Sequence, residues 1–542
     1  MDRMADLVFV NGQVITVNPG NEVVQGLAVK NGRIAAVGGN GRIMSLIGAK
    51  TRVVDLKGRS LIPGIIDSHQ HMVVHGTNEM GVNCRFPGVT SIEEIKGKIR
   101  EAAAKTPPGR WIRGWGYDQS KLAEKRHPTR WDLDEAAPDH PVIIVRTCGH
   151  ISANNSLSLK AAGITGDTPD PPGGVIEREG GRPNGVLKEA AHLKMLGGAA
   201  FTEEELLAAI SLAGRQLASL GITSVHDSGG FGAAQMKALQ EAVGRGLIKT
   251  RIYAMIFSLA GDNTAFVNQF MQSGLYTGFG NERLRVGCLK LMVDGSSSGP
   301  TAATRQPYDS NPEDSGILAM SREEVEDIFL RAHLAGFQVT AHAVGDRAVE
   351  MVLDAIEKSL AARPVDDHRH RIEHCAMTDP ELIARIKKLG LVPVPQPVFL
   401  YEFGDGYLVN YGPSRLSRMF PCRTFIDQGI VAAASSDCPV TTPDPIFGMH
   451  LAVNRVTQGG RAISQEEKIS ILEAIRLYTI NGAYASFEEG IKGSLEPGKL
   501  ADLAVLSEPL LDTPAGRIRE VRVQMTVIGG EVVYEEGLGI RG

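Results

Sequence analysis

His69 and His71 stand two residues apart in IPGIIDSHQH, at the end of the apolar run Leu61 to Ile66. On a strand, that spacing puts both imidazoles on one face, where they reach one metal ion at ~2.1 Å. An H-x-H pair alone says little in a chain with 14 histidines. Directly after an apolar strand it points to metal ligation. Lys290 lies inside the apolar GCLKLMV and shares a strand face with Met292 and Asp294. A lysine facing a core is costly unless it is paired or chemically changed. Carboxylation by CO2 would turn it into a carbamate that bridges two cations; an ion pair with Asp294 or Asp437 is the plainer alternative. His342 in TAHAVGD and His374 in RIEHC each end a β-rich run. Asp437 follows the small apolar residues of AAASSDCPV and can act as both ligand and proton carrier. Asp346 is expected only to cap the helix beginning RAVEMVL. The chemistry such a set supports is metal-assisted hydrolysis.

Elements must bring these residues together. Four times a helix-like segment ends at a glycine and an apolar strand follows: Gly221 before ITSVHDSGG, Gly336 before FQVTAHAVGD, Gly390 before LVPVPQPVF, Gly429 before IVAAASSD. The first two helices open with Ser/Thr-x-x-Glu capping boxes at Thr202 and Ser321, and the glycines sit where a left-handed C-cap is wanted. Alternation of this kind implies parallel strands with helical crossovers. IPGIIDSHQH, LRVGCLKLMVDG and RHRIEHC bring the strands to seven, with an eighth near PVIIVRTCGH. The expected fold is a (β/α)8 TIM-like barrel, with a doubly wound open sheet as runner-up. Pro393, Pro395 and Pro397 fall in one proposed strand, which must therefore be short or distorted.

Both chain ends read as short strands. Asn11-Gly12, Asn31-Gly32 and Gly529-Gly530 each suit a two-residue hairpin turn. The economical arrangement is a small β-sandwich built from residues 1–62 and 488–542, with the barrel in 63–487. Residues 76–200 are too many for one crossover and form an expected insertion covering the active site; it holds Trp111, Trp115 and Trp131.

The chain has 542 residues and a formal net charge of -5, without a basic block, so nucleic acid and anionic membrane are not expected partners. No apolar stretch approaches the ~18 residues of a membrane span, and the N-terminus does not read as a signal peptide. Six scattered cysteines without a C-x-x-C fit reduced thiols in a cytoplasm. The expected partner is a small-molecule substrate; a homodimer is left open.

IPGIIDSHQH, LKLMVDGSSSG, HAVGDRAV, RIEHC, SSDCPV and the closing GSLEPGKLADLAVL, in this order, resemble the amidohydrolase superfamily. They are most similar to its YtcJ-like branch, which includes the N-substituted formamide deformylases. The resemblance implies a barrel plus a sandwich and one or two divalent metals, zinc foremost. His69 and His71 match its first-strand ligands and Lys290 its bridging carboxylated lysine. His342 and His374 match the fifth- and sixth-strand ligands, and Asp437 the catalytic aspartate of the eighth. GWGYDQ departs from a tighter GWDQ-like form, and Cys375 and Cys438 flank His374 and Asp437. The expected reaction cleaves a C–N bond of an amide, N-formyl or N-acyl small molecule with metal-activated water. Alternatives are one-metal deamination of a nitrogen heterocycle, and ester or lactone hydrolysis at the same site. Trp115, Tyr117, Asp118 and His150 of the insertion, with Asp294 and Phe399, are the expected substrate contacts. With Tyr401 and Phe403 they would line an aromatic pocket; the alternative is that the insertion's aromatics form its own core.

Overall fold

The computed structural model describes residues 4–259, 263–536 and 539–540, so the outermost residues of both expected sandwich segments lie outside it. Seven parallel strands run side by side: β1 (Ile65–Gln70), β2 (Ile222–Asp227), β3 (Arg251–Ile256), β4 (Leu284–Met292), β5 (Val339–Ala343), β6 (Arg371–His374) and β7 (Val392–Val394). The edges of this sheet are joined by the irregular segment 433–437. On one side Ala433 and Ser435 donate N–H groups to Pro393 O and Pro395 O, at 3.0 and 3.2 Å. On the other, Ser68 donates to Ala434 O at 3.3 Å and Asp437 to His69 O at 2.8 Å. The barrel is closed there by an irregular eighth member. The proline-laden strand is three residues long, as expected of a ladder that loses donors.

Two expectations about strands are corrected. PVIIVRTCGH does not enter the barrel; Val142–Arg146 belongs to a separate six-stranded sheet spanning Val82 to Glu189. The strand overlooked is β3, RIYAMI, buried throughout. It carries no candidate ligand, and a short apolar run looks alike in a buried strand or helix. Asn11-Gly12 is not a hairpin turn either. Leu7–Val10 pairs with Gly26–Lys30 and Arg52–Asp55, whereas Gln13–Ile15 pairs with Val23–Val24 and Ser60–Pro63 in another sheet. The dipeptide steps the chain between two layers. Asn31-Gly32 and Gly529-Gly530 do turn hairpins, all four residues at positive φ.

The helix–strand junctions follow the local chemistry. Thr202 and Ser321 form complete capping boxes with Glu205 and Glu324. Gly221, Gly336, Gly390 and Gly429 take φ between 65° and 92°, the left-handed region where a side chain is disfavoured. Asp346 is not the cap of its helix. That helix, Asp346–Ala362, begins after Gly345, and the Asp346 carboxylate accepts the Arg305 N–H at 2.7 Å.

Strands from both chain ends share one seven-stranded sheet, in which Ser60–Pro63 pairs antiparallel with Leu503–Leu506. It packs on the four-stranded N-terminal sheet through Phe9, Val14, Leu27, Leu61, Leu503 and Val527. Arg251 at the start of β3 makes a two-pronged, buried ion pair with Asp502 at 2.7 and 3.0 Å, fastening this unit to the barrel. Among the described residues no helix is long and apolar enough to cross a membrane, and all six cysteines are free and buried.

Candidate active site

The C-terminal strand ends gather the chemistry-bearing residues, as a barrel of this kind requires. His69 Nε2 lies 3.3 Å from Asp437 Oδ1 and 3.3 Å from Lys290 Nζ. His71 Nε2 lies 3.6 Å from the same Asp437 oxygen. Ligand atoms of His69, His374 and Asp437 all fall within 4.8 Å of one another. The His342 ring stands beside His374, their centroids 4.4 Å apart. His374 and Asp437 adopt φ of 69° and 55°. Left-handed backbone at residues with side chains is strained, and such strain gathers at functional sites.

Each histidine has one nitrogen engaged. Nδ1–H of His69 donates to Glu373 Oε2 at 2.5 Å, that of His71 to Gly229 O at 2.6 Å, and that of His374 to Gln396 Oε1 at 2.8 Å. Gln396 is oriented in turn by donating its amide to Val394 O and Ser435 Oγ. His342 is tied by the other nitrogen, Nε2–H, to Gly295 O at 3.1 Å. Four imidazoles are thereby left with one lone-pair nitrogen each. Burial keeps them neutral: it pushes His71 down to about 3, and His69, His342 and His374 well below the ordinary imidazole value. A neutral imidazole whose second nitrogen is held by an acceptor is the form that ligates a metal. With Asp437 beside them, the donor set fits a divalent cation.

Burial likewise lowers the Lys290 ammonium, although the carboxylates of Glu373 and Asp437 oppose it. Its Nζ also lies 4.7 Å over the Phe257 ring. Burial pushes Asp437 up to about 7.

Glu373 and Arg371 were not anticipated. Glu373 is fully buried; besides His69 it accepts Thr340 Oγ1 and two Arg371 nitrogens. Arg371 also reaches His226 Nδ1 and Ser68 O. Their signal was available, since in RIEH the charged Arg371 and Glu373 share one face of a buried strand.

A cavity of about 1140 Å³, open mouth included, starts at His71, Lys290, His342, His374 and Asp437 and runs between barrel and insertion. Its walls are largely apolar, with Val74, Leu196, Phe201, Phe231, Phe257 and Leu259. Two of the expected substrate contacts, Trp115 and His150, line it. Four stand behind the wall. Tyr117 is buried in the insertion with its hydroxyl on His127 Nδ1. Asp118 is spent on an ion pair with Arg146, which itself lines the cavity. Asp294 is fully buried and accepts backbone N–H groups of Ala303, Val344 and Gly345. Phe399 stacks on His374 and joins Tyr407 and Tyr411 in a separate cluster, with Tyr401 packed against it. The cavity's aromatic character comes from Trp115, Phe201, Phe231 and Phe257 instead. Trp131 is exposed.

A parallel barrel with histidines, a lysine and an aspartate at its strand ends defines a metal-dependent hydrolase of the amidohydrolase type. Residues 52–534 match the amidohydrolase family, and the chain belongs to it. It is 31% identical to N-substituted formamide deformylase of Arthrobacter pascens, over 99% of each chain. It is also 31% identical to the putative amidohydrolase YtcJ of Bacillus subtilis (strain 168), over 98% of this chain and 99% of that one. Among solved structures, an uncharacterized metal-dependent hydrolase from Pyrococcus horikoshii OT3 is similar with a TM-score of 0.77 and 27% identity. That match covers 94% of this chain and 99% of the other.

Proposed function

We propose that this chain hydrolyses the C–N bond of an N-formyl or N-acyl amine, or another small amide, bearing an apolar or aryl substituent. The observation that carries the reading is the set of four imidazoles, each anchored through one nitrogen and left with a lone pair on the other, placed around Asp437 at the head of an apolar-walled cavity. His69, His71, His342, His374 and Asp437 would hold one or two divalent cations, with Lys290, as a CO2-derived carbamate, bridging a pair. Nitrogen and carboxylate donors suit zinc. When bound, the cation lowers the pKa of a water towards ~7 and polarises the carbonyl under attack.

The chain's own residues do the rest. Asp437 is the only carboxylate among the described lining residues. It takes the proton released from water and returns it to the leaving nitrogen, since an amine anion is a poor leaving group. Phe201, Phe231, Phe257 and Leu259 receive the substituent and exclude water. Trp115 and His150 contact the substrate from the insertion side. The similarity to a formamide deformylase supports a formyl or other small acyl group. We read residues 1–62 and 488–542 as one composite unit and 63–487 as the barrel unit, with 76–200 inserted over the site. The buried thiols fit a cytoplasmic protein.

The test joins metal analysis to a screen of N-formyl, N-acyl, cyclic amide and ester substrates. Turnover of N-formyl or N-acyl aryl- and alkylamines by the zinc-loaded protein is expected. Ammonia release from a heterocycle with one metal per chain, or turnover of esters and lactones alone, would overturn the reading.

A further inference from the structure

One chain of hydrogen bonds lies on the insertion side of the cavity and runs from His150 back to the barrel. His150 Nδ1 donates to Glu189 Oε2 at 2.8 Å. The other carboxylate oxygen, Oε1, accepts Thr301 Oγ1 at 2.7 Å. Thr301 belongs to the loop after β4, and its hydroxyl oxygen accepts the Ser296 N–H at 2.8 Å. The backbone repeats the pairing, because Glu189 N–H donates to His150 O at 2.9 Å. Glu189 and His150 are therefore joined twice, and the barrel holds Glu189 from a third side.

We propose that Glu189, braced by Thr301, is a positioning residue that holds the His150 ring with Nε2 turned to the scissile group of the substrate. The insertion then supplies a working part of the reaction centre as well as a wall. This rests on the hydrolase reading above.

Three observations support it. First, His150 lines the same cavity as His342 and Asp437, its ring centroid 5.2 Å from that of His342. With Nδ1 engaged by Glu189, Nε2 is the nitrogen that remains for a ligand, and no described residue bonds to it. Second, the Glu189 carboxylate is buried, with both oxygens committed. A carboxylate engaged by an imidazole nitrogen and anchored by a hydroxyl fixes the ring's plane and, although burial opposes it, favours the protonated ring, raising His150 to about 9. Third, Glu189 adopts φ 48°, ψ −122° at the junction between Arg182–Glu189 and the helix Ala190–Gly198. Glycine would suit such a backbone better. A glutamate kept there has its strain offset by what its side chain does.

The experiment is a double-mutant cycle on the zinc-loaded protein, with an amide from the screen as substrate. His150→Asn is expected to lower kcat by about 10²-fold, with KM and metal content little changed. Glu189→Gln keeps the side chain's shape and should lower kcat less; Thr301→Val should lower it less still. Because Glu189 acts through His150, the variant carrying both His150→Asn and Glu189→Gln should be no slower than His150→Asn alone. Multiplying losses, or a kcat for His150→Asn close to the parent's, would overturn the proposal. A second readout does not need turnover. The imidazole N–H on a buried carboxylate should give a downfield proton resonance that His150→Asn and Glu189→Gln each remove. If either variant keeps every downfield resonance of the parent, the pairing is wrong. Absence of any amide turnover in the parent would count against the hydrolase reading, while the proton spectrum still decides the His150–Glu189 pairing.

Discussion

A histidine that binds a metal uses one nitrogen and has to dispose of the other. In this chain Glu373, Gly229, Gln396 and Gly295 take the second nitrogens. Glu373 is itself held by Arg371 and Thr340, so a charged acceptor fixes His69 from below. Glu373→Gln replaces that charge and leaves the buried Arg371 without its partner. Metal affinity, measured by competition with a chromophoric chelator, should fall by about 10–100-fold; unchanged affinity would remove Glu373 from the site. Asp437→Asn should keep the metal and lower kcat by about 10²–10⁴-fold; near-normal turnover would end its role as proton carrier. Lys290→Ala should lose one metal per chain in elemental analysis, and full content would rule out the bridging carbamate. The six proposed ligand positions were legible because a polar residue on an apolar strand needs a special reason. Tyr117, Asp118, Asp294 and Phe399 were legible as unusual but not as to their direction. Each is turned by partners on other elements or loops: His127, Arg146, the backbone around Val344, and His374.

Elements set the aim of these side chains. Gly345 lies between β5, which carries His342, and the helix Asp346–Ala362. Its N–H donates to Asp294 Oδ2 at 2.8 Å, and an added Cβ would fall 1.9 Å from Ala303 O. That neighbour is backbone and cannot rotate away. Gly345→Ala should therefore destabilise the protein by about 1–3 kcal/mol, read as a lower denaturant midpoint, and should loosen the His342 end of the site. A variant as stable as the parent would mean the loop yields freely. Caps and glycine stops were readable because they act within one turn of chain: Thr202, Ser321 and the four C-terminal glycines stand where their chemistry places them. Strand partners act at long range. RIYAMI and PVIIVRTCGH look alike along the chain, yet one is a barrel strand and the other part of the insertion's sheet. Asn11-Gly12 has the composition of a hairpin turn but feeds two different sheets.

At the scale of the whole molecule, the two chain ends share a sheet that fastens to the barrel through Arg251 and Asp502. Both partners are buried, so removing one leaves an uncompensated charge. Asp502→Ala should cost about 3–5 kcal/mol, seen in chemical denaturation, while metal content in the folded fraction stays at the parent's level. An unchanged midpoint would make the pair incidental. The sequence by itself determined the barrel rhythm, the pairing of the chain ends and which polar residues stand at the strand ends. These depend on local periodicity and on the cost of burying a polar group, both written residue by residue. Only the tertiary structure decided which strands are neighbours, that segment 433–437 closes the barrel, and that Glu373, Glu189 and Arg146 stand beside the chemistry. Those facts are contacts between residues tens to hundreds of positions apart, and a contact of that kind exists only once the chain has folded.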